Sequence, residues 1–215
     1  MNPGPVRGRV APELVAEYGA IALWSVTVRV TGRAATQNRA RLGHISNAYR
    51  GADVVRVHGR TAAHEGFRTF ARQVGIDPDR TPTRADAAAR EAVVAGRLAS
   101  LGPAPDALLA VAVQSGVPVW ALDASTIVGE LELRVAGEGE RLGRGRARRT
   151  SSVAPGTIVV ADGRGPVALL LADPPPAHDG SRAAAVVLYT VGVPDVPEWE
   201  VSEAVWSAAR FLDGT

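Results

Sequence analysis

A chain of 215 residues, 46% hydrophobic and 21% charged, has enough apolar matter for one folded core and too little net charge for a disordered tail. It has no Cys, which excludes disulfides, thiolate metal sites and a Cys nucleophile. The isoelectric point near 9.6 overstates how basic the protein is. The formal net charge is only +2 and there is no Lys, so almost nothing titrates between neutrality and the guanidinium range. Any nucleic-acid role must therefore rest on local Arg clusters and not on global attraction.

Residues 1–11 are rich in Pro and Gly and read as a loose lead-in, with residues 12–215 as one domain. The segment Met1 to Arg7 lacks the apolar centre of a signal peptide, and no run reaches the ~18 apolar residues of a membrane helix, so a cytoplasmic protein that spans no membrane is expected. Ile21 to Val30 alternates and predicts a strand. Helical spacing follows over Thr36 to Tyr49 and Thr61 to Val74, the second placing Ala63, Phe67, Phe70 and Val74 on one face. Gly75-Ile76-Asp77-Pro78 stops that helix. Ala85 to Leu98 predicts an Ala-rich helix ending at Gly96, and Asp106 to Ser115 a short one with Pro105 ahead of it and Gly116 behind. Beyond Gly116 the pattern turns to strands: Glu130 to Val135 with Leu131, Leu133 and Val135 inward, Thr157 to Val160, Val167 to Leu171, and Ala183 to Val191. Trp199 to Leu212 closes the chain as an amphipathic helix with Val205, Ala209 and Leu212 together. With no repeat and no clear linker, the expected class is α+β, mixed or antiparallel sheets packed with helices in a single domain.

Several weak motifs stand in an order that carries more meaning than any one of them. Phe67-Arg68, Phe70, Arg72, Gly75 and Pro78 come first, then the helix ending at Gly96, then Asp106. The densest run is Gly116-Val117-Pro118-Val119-Trp120-Ala121-Leu122-Asp123, followed by Ile127, Gly129, Leu131, Leu133, Arg134, Ala136, Gly139 and Glu140, and then Gly156 to Asp162. This series resembles the B3/B4 domain of the phenylalanyl-tRNA synthetase β subunit over roughly two-thirds of the chain. The resemblance implies the sheet-and-helix fold of that domain and a partner in tRNA or aminoacyl-tRNA. In the family, that role is hydrolysis of wrongly attached amino acids, such as tyrosine, from the tRNA for phenylalanine. It calls for no cofactor and no metal.

The sequence departs from the family where the chemistry lies. Trp120 stands where the synthetases commonly have His, Leu109 where an Asn is expected, and the stretch Ala172 to Asp179 has no Glu. Three readings therefore stay open: an aminoacyl-tRNA deacylase acting in trans, a scaffold without turnover that binds tRNA or an amino acid, or a repurposed scaffold acting on an amino-acid-like small molecule.

Candidate residues follow from their types. His178 between Asp173 and Asp179 is a possible general base for a water attacking an ester; the plainer reading is a Pro-rich loop whose polar groups cap turns. Gly116, Pro118, Trp120, Asp123 and Asp106 would line the substrate pocket. There Trp120 either stacks on a ring or fills core, and both Asp residues are also N-cap candidates. Arg141, Arg144, Arg146, Arg148 and Arg149, in a Gly-rich segment between strands, are candidates for tRNA phosphates or a solvated hairpin. His44, His58 and His64 are isolated in sequence and lack metal-ligand spacing.

Overall fold

Within five residues the N-terminal segment visits two different sheets. Val6–Arg7 (β1) pairs antiparallel with Ala22–Arg29 (β3), whereas Arg9–Val10 (β2) runs parallel to Glu132–Val135 (β5). The crossing point is Gly8: its N–H donates to the Leu23 carbonyl at 2.8 Å, and a Cβ there would come within 3.0 Å of both the Leu131 carbonyl and the Leu23 side chain. Residues 6–10 are thus strand, where composition alone reads a loose lead-in. Two-residue strands have no period to betray them.

The computed structural model describes residues 4–48, 61–143 and 150–214. Over these residues the fold is mixed α+β. The first sheet has the order β1-β3-β10-β4, all neighbours antiparallel, with β10 at Ala185–Gly192 and β4 at Trp120–Asp123. The second has the order β2-β5-β8-β9, with β8 at Ile158–Asp162 and β9 at Gly165–Leu169. A small ribbon, β6 (Arg141–Leu142) with β7 (Ser151–Ser152), completes the strands. Seven of the eight residues of β10 are buried, which is why that segment is an unbroken apolar run and not an alternating one.

Helix α1 (Pro12–Tyr18) starts on Pro, which fits the first helical turn, and stops at Gly19. Helix α2 spans Gly32–Ala48. Helix α3 (Ala62–Gln73) is capped by Thr61, whose hydroxyl accepts the His64 N–H, and it buries Ala63, Phe67 and Phe70 as their spacing requires. Helix α4 (Arg84–Ala95) opens on a capping box between Thr83 and Asp86 and ends in a left-handed Gly96. Helix α5 (Pro103–Ser115) buries a continuous run from Ala104 to Val113 and is a central post of the fold. The last helix, α6 (Glu198–Asp213), lays Val201, Val205, Ala208, Ala209 and Leu212 against the first sheet and α5.

One core runs through both sheets and helices α1, α3, α5 and α6; a second joins Leu42 and Ile45 of α2 to Ala85, Ala89 and Ala92 of α4 through the far side of α5. Buried Asn38 fastens the helical side, its Nδ2 donating to the Pro103 carbonyl at 3.2 Å and the Phe211 carbonyl at 2.9 Å. No helix among the described residues is long and apolar enough to cross a membrane.

Candidate binding cleft

The segment Pro118 to Ala121 leaves α5, enters β4 and forms one wall of a cleft whose other wall is the start of α4 and the inner face of α5. The floor is apolar, with Trp120, Leu108, Leu109 and Ala112. Trp120 is held by stacking on Tyr189 of β10, its cross-strand partner, with ring centroids 5.5 Å apart and 23° between planes. Across the mouth lies a strap, residues 172–179, and here Arg84 donates from Nε and Nη2 to Asp173 Oδ2 at 3.2 and 3.1 Å. Their side chains are 36% and 46% exposed, so this is a rim contact. The cleft is nearly shut: its cavity is about 30 Å³, room for a water or two.

Tyr189 lies beneath this floor, fully buried, and its hydroxyl has no hydrogen-bond partner among the described residues. Its phenol is pushed far above the ordinary value, mainly by burial and further by the negative charge of Asp173.

The structure distributes the residues singled out from sequence over several tasks. Pro118 and Trp120 line the cleft, as do Asp173 and Asp179. Gly116 does not; it faces an adjoining cavity, where its positive φ of 76° caps α5 against the start of α3. Asp123 caps the short 3-10 turn Ala124–Thr126, accepting from Ser125 N and Oγ. Asp179 does the same for Gly180–Arg182 through Ser181. Asp106, only 1% exposed, lies outside the cleft and accepts from Ser100 Oγ, Leu101 N and Gly102 N, tying the preceding loop to α5.

His178 is 1% exposed and does not line the cleft that Asp173 and Asp179 share. Its Nδ1 lies 2.9 Å from Thr126 Oγ1, and its carbonyl accepts the Asp123 N–H at 2.8 Å. The imidazole braces the far end of the strap against the Ala124–Thr126 turn, while the backbone carbonyl ties it to β4. The three residues are not assembled as a base with orienting carboxylates. Consecutive prolines suggest an exposed loop, but the bonds to Thr126 and Asp123 draw the loop inward.

The inner cavity contains a pair that sequence spacing does not reveal. His64 Nε2 sits 2.7 Å from Asp86 Oδ1, both buried, and Asp86 Oδ2 accepts from Thr83 N and Oγ1. His64 and Asp86 each occupy the third position of their helices, so the pair joins the starts of α3 and α4. The Thr83-x-x-Asp86 capping box is the one signal that could have pointed to it. This cavity shares Thr83, Ala85, Ala112 and Pro118 with the cleft, and Ile76, Thr81 and Leu171 with a wider hollow of about 730 Å³ between α1 and the second sheet. Leu171, at the junction, holds a left-handed φ of 56°, strained for a branched side chain. The largest space is thus apart from the Pro118–Trp120 wall, and the residues that prompted a site lie around the narrow spaces.

Arg141 is occupied at the base of the β6–β7 ribbon, donating to the Thr150 hydroxyl and carbonyl. Arg144, Arg146, Arg148 and Arg149 lie outside the described residues, as does His58. Among the described residues no group of three or more His, Asp or Glu is placed to hold a metal ion. No protein-family model matches this chain, and no curated protein matches it.

Proposed function

We propose that this chain is a protein of the B3/B4 type that works in the cytoplasm and binds the aminoacyl end of tRNA, its cleft receiving the amino-acid side chain. The observation that carries this reading is the composition of the cleft: the wall is Pro118 to Ala121, part of the run that resembles the family, the floor is apolar, and the Arg84–Asp173 pair stands at the rim. An apolar floor with polar groups at its edge suits a group with an apolar side chain on one side and a charged, hydrated backbone on the other. The Arg groups of residues 141–149 would hold phosphates of the acceptor arm.

The test is to mix the purified protein with tRNAs correctly and incorrectly charged with a panel of amino acids, and to follow both binding and ester loss. Selective hydrolysis of one mischarged species would establish editing in trans. Binding without acceleration over buffer would establish a holding module. Absence of both would refute the proposal. The holding module is supported by one observation, that among the described residues no His lines the cleft: His178 is enclosed elsewhere and His64 faces the adjoining cavity. Neutralising Arg141, Arg144, Arg146, Arg148 and Arg149 should flatten the salt dependence of tRNA affinity; an unchanged slope would remove them from the interface.

A further inference from the structure

The charges lining the cleft do not balance. Arg84 supplies one guanidinium, while Asp173 and Asp179 supply two carboxylates, so a cation arriving there completes the count. Asp179 is already turned to Ser181 N and Oγ, which leaves Asp173 as the carboxylate at the mouth. The strap that carries Asp173 has a strained Leu171 at one end and the buried His178 at the other, and the Arg84–Asp173 contact holds its middle to α4. With that contact made, the cavity is too small for an amino-acid side chain. A ligand that seats a side chain there must widen the cleft, and moving the strap away frees Asp173.

We infer that Asp173 reads a positively charged amine on the ligand, and that the Arg84–Asp173 pair is the latch this amine displaces. The ligand class is a primary ammonium next to an apolar side chain: the side chain lies on Trp120, the ammonium takes Asp173, and the released Arg84 faces the ligand's next acidic group. This inference rests on the aminoacyl reading of the cleft and adds which atom of the ligand is recognised.

Three probes separate the possibilities by calorimetric titration: the amides of phenylalanine, tyrosine and leucine, which keep the ammonium; their N-acetylated amides, which lack it; and uncharged tRNA. At least one amide should bind, and its N-acetylated form should bind about ten- to a hundredfold more weakly, the range for losing a contact to a charged group. In Asp173→Asn the amide should lose that advantage over its N-acetylated form. Arg84→Gln should bind the amide more tightly, because the internal competitor is gone. Both residues are at the surface, so both variants should keep the wild-type unfolding temperature. Equal binding of the amide and its N-acetylated form by the wild type, or weaker binding by Arg84→Gln, would overturn the inference. So would a failure of every amide to bind; tRNA binding in that same sample would show that the wider proposal survives its loss.

Discussion

Replacing Gly116 by Ala tests the junction on which the cleft wall depends. Gly116 and Gly96 both end helices in the left-handed conformation, with φ of 76° and 70°, and each donates its N–H to a carbonyl one turn back. They differ in surroundings. A Cβ on Gly96 meets nothing within 4 Å, whereas one on Gly116 would overlap the Thr61 hydroxyl and come within 2.8 Å of His64 N. The backbone cost of placing Ala in this region is roughly 1–2 kcal/mol and is common to both sites. At Gly116, overpacking against a helix start that cannot easily retreat adds about 1–3 kcal/mol. Gly116→Ala should therefore lose about 2–5 kcal/mol and Gly96→Ala about 1–2 kcal/mol, with roughly 2–4 °C of melting temperature for each kcal/mol in a chain of this length. Urea unfolding followed by circular dichroism measures both. Equal losses in the two variants would refute the close approach of α5 to α3.

Three other perturbations follow from the geometry. Glu140 accepts a two-pronged bond from Arg134 at 2.7 and 2.6 Å, and that bond first, with the Gly137 N–H behind it, holds its carboxyl below the ordinary 4.5. The stability it contributes is present above that value and lost as pH falls through the lower folded one. Glu140→Gln should cost about 1–3 kcal/mol at neutral pH in urea titrations, with the gap to the wild type closing as pH falls below 4.5. Asp106→Ala strips three donors of a buried acceptor and should cost about 2–4 kcal/mol by the same assay, a loss near zero showing that water replaces the carboxylate. His178→Ala should cost about 2–4 kcal/mol and speed proteolytic cutting within residues 172–177 of the folded protein; unchanged stability and cutting would return His178 to a chemical role.

Elements with a strong local signature were legible in the sequence. Thr61 before Ala63, Phe67 and Phe70 announced α3, and Gly96 and Gly116 marked the ends of α4 and α5. Val205, Ala209 and Leu212 revealed the buried stripe of α6. Helix α1 and strands β1 and β2 were not legible, because a seven-residue Pro-led helix and two-residue strands gain their stability from the structure they pack on. At the site, Pro118 and Trp120 were found because they sit in one dense run. Arg84 was missed because its partner Asp173 lies 89 residues away, and His64 because Asp86 lies 22 residues on, in another helix. Such pairings are set by tertiary packing and leave no mark on local spacing. His178 was found, but its surroundings were misjudged from its proline neighbours.

Gly8 also matters for what the folded protein shows to its neighbours. Because β1 and β2 lie on opposite sides of that one residue, residues 6–10 shield β3 and β5, two strand edges that belong to different sheets. Trimming the chain through Val10 would expose both rows of backbone donors and acceptors at once, each a template for pairing with another molecule. Residues 6–10 therefore act as a guard against self-association, and the first sign of their loss would be turbidity, ahead of any change in the cleft.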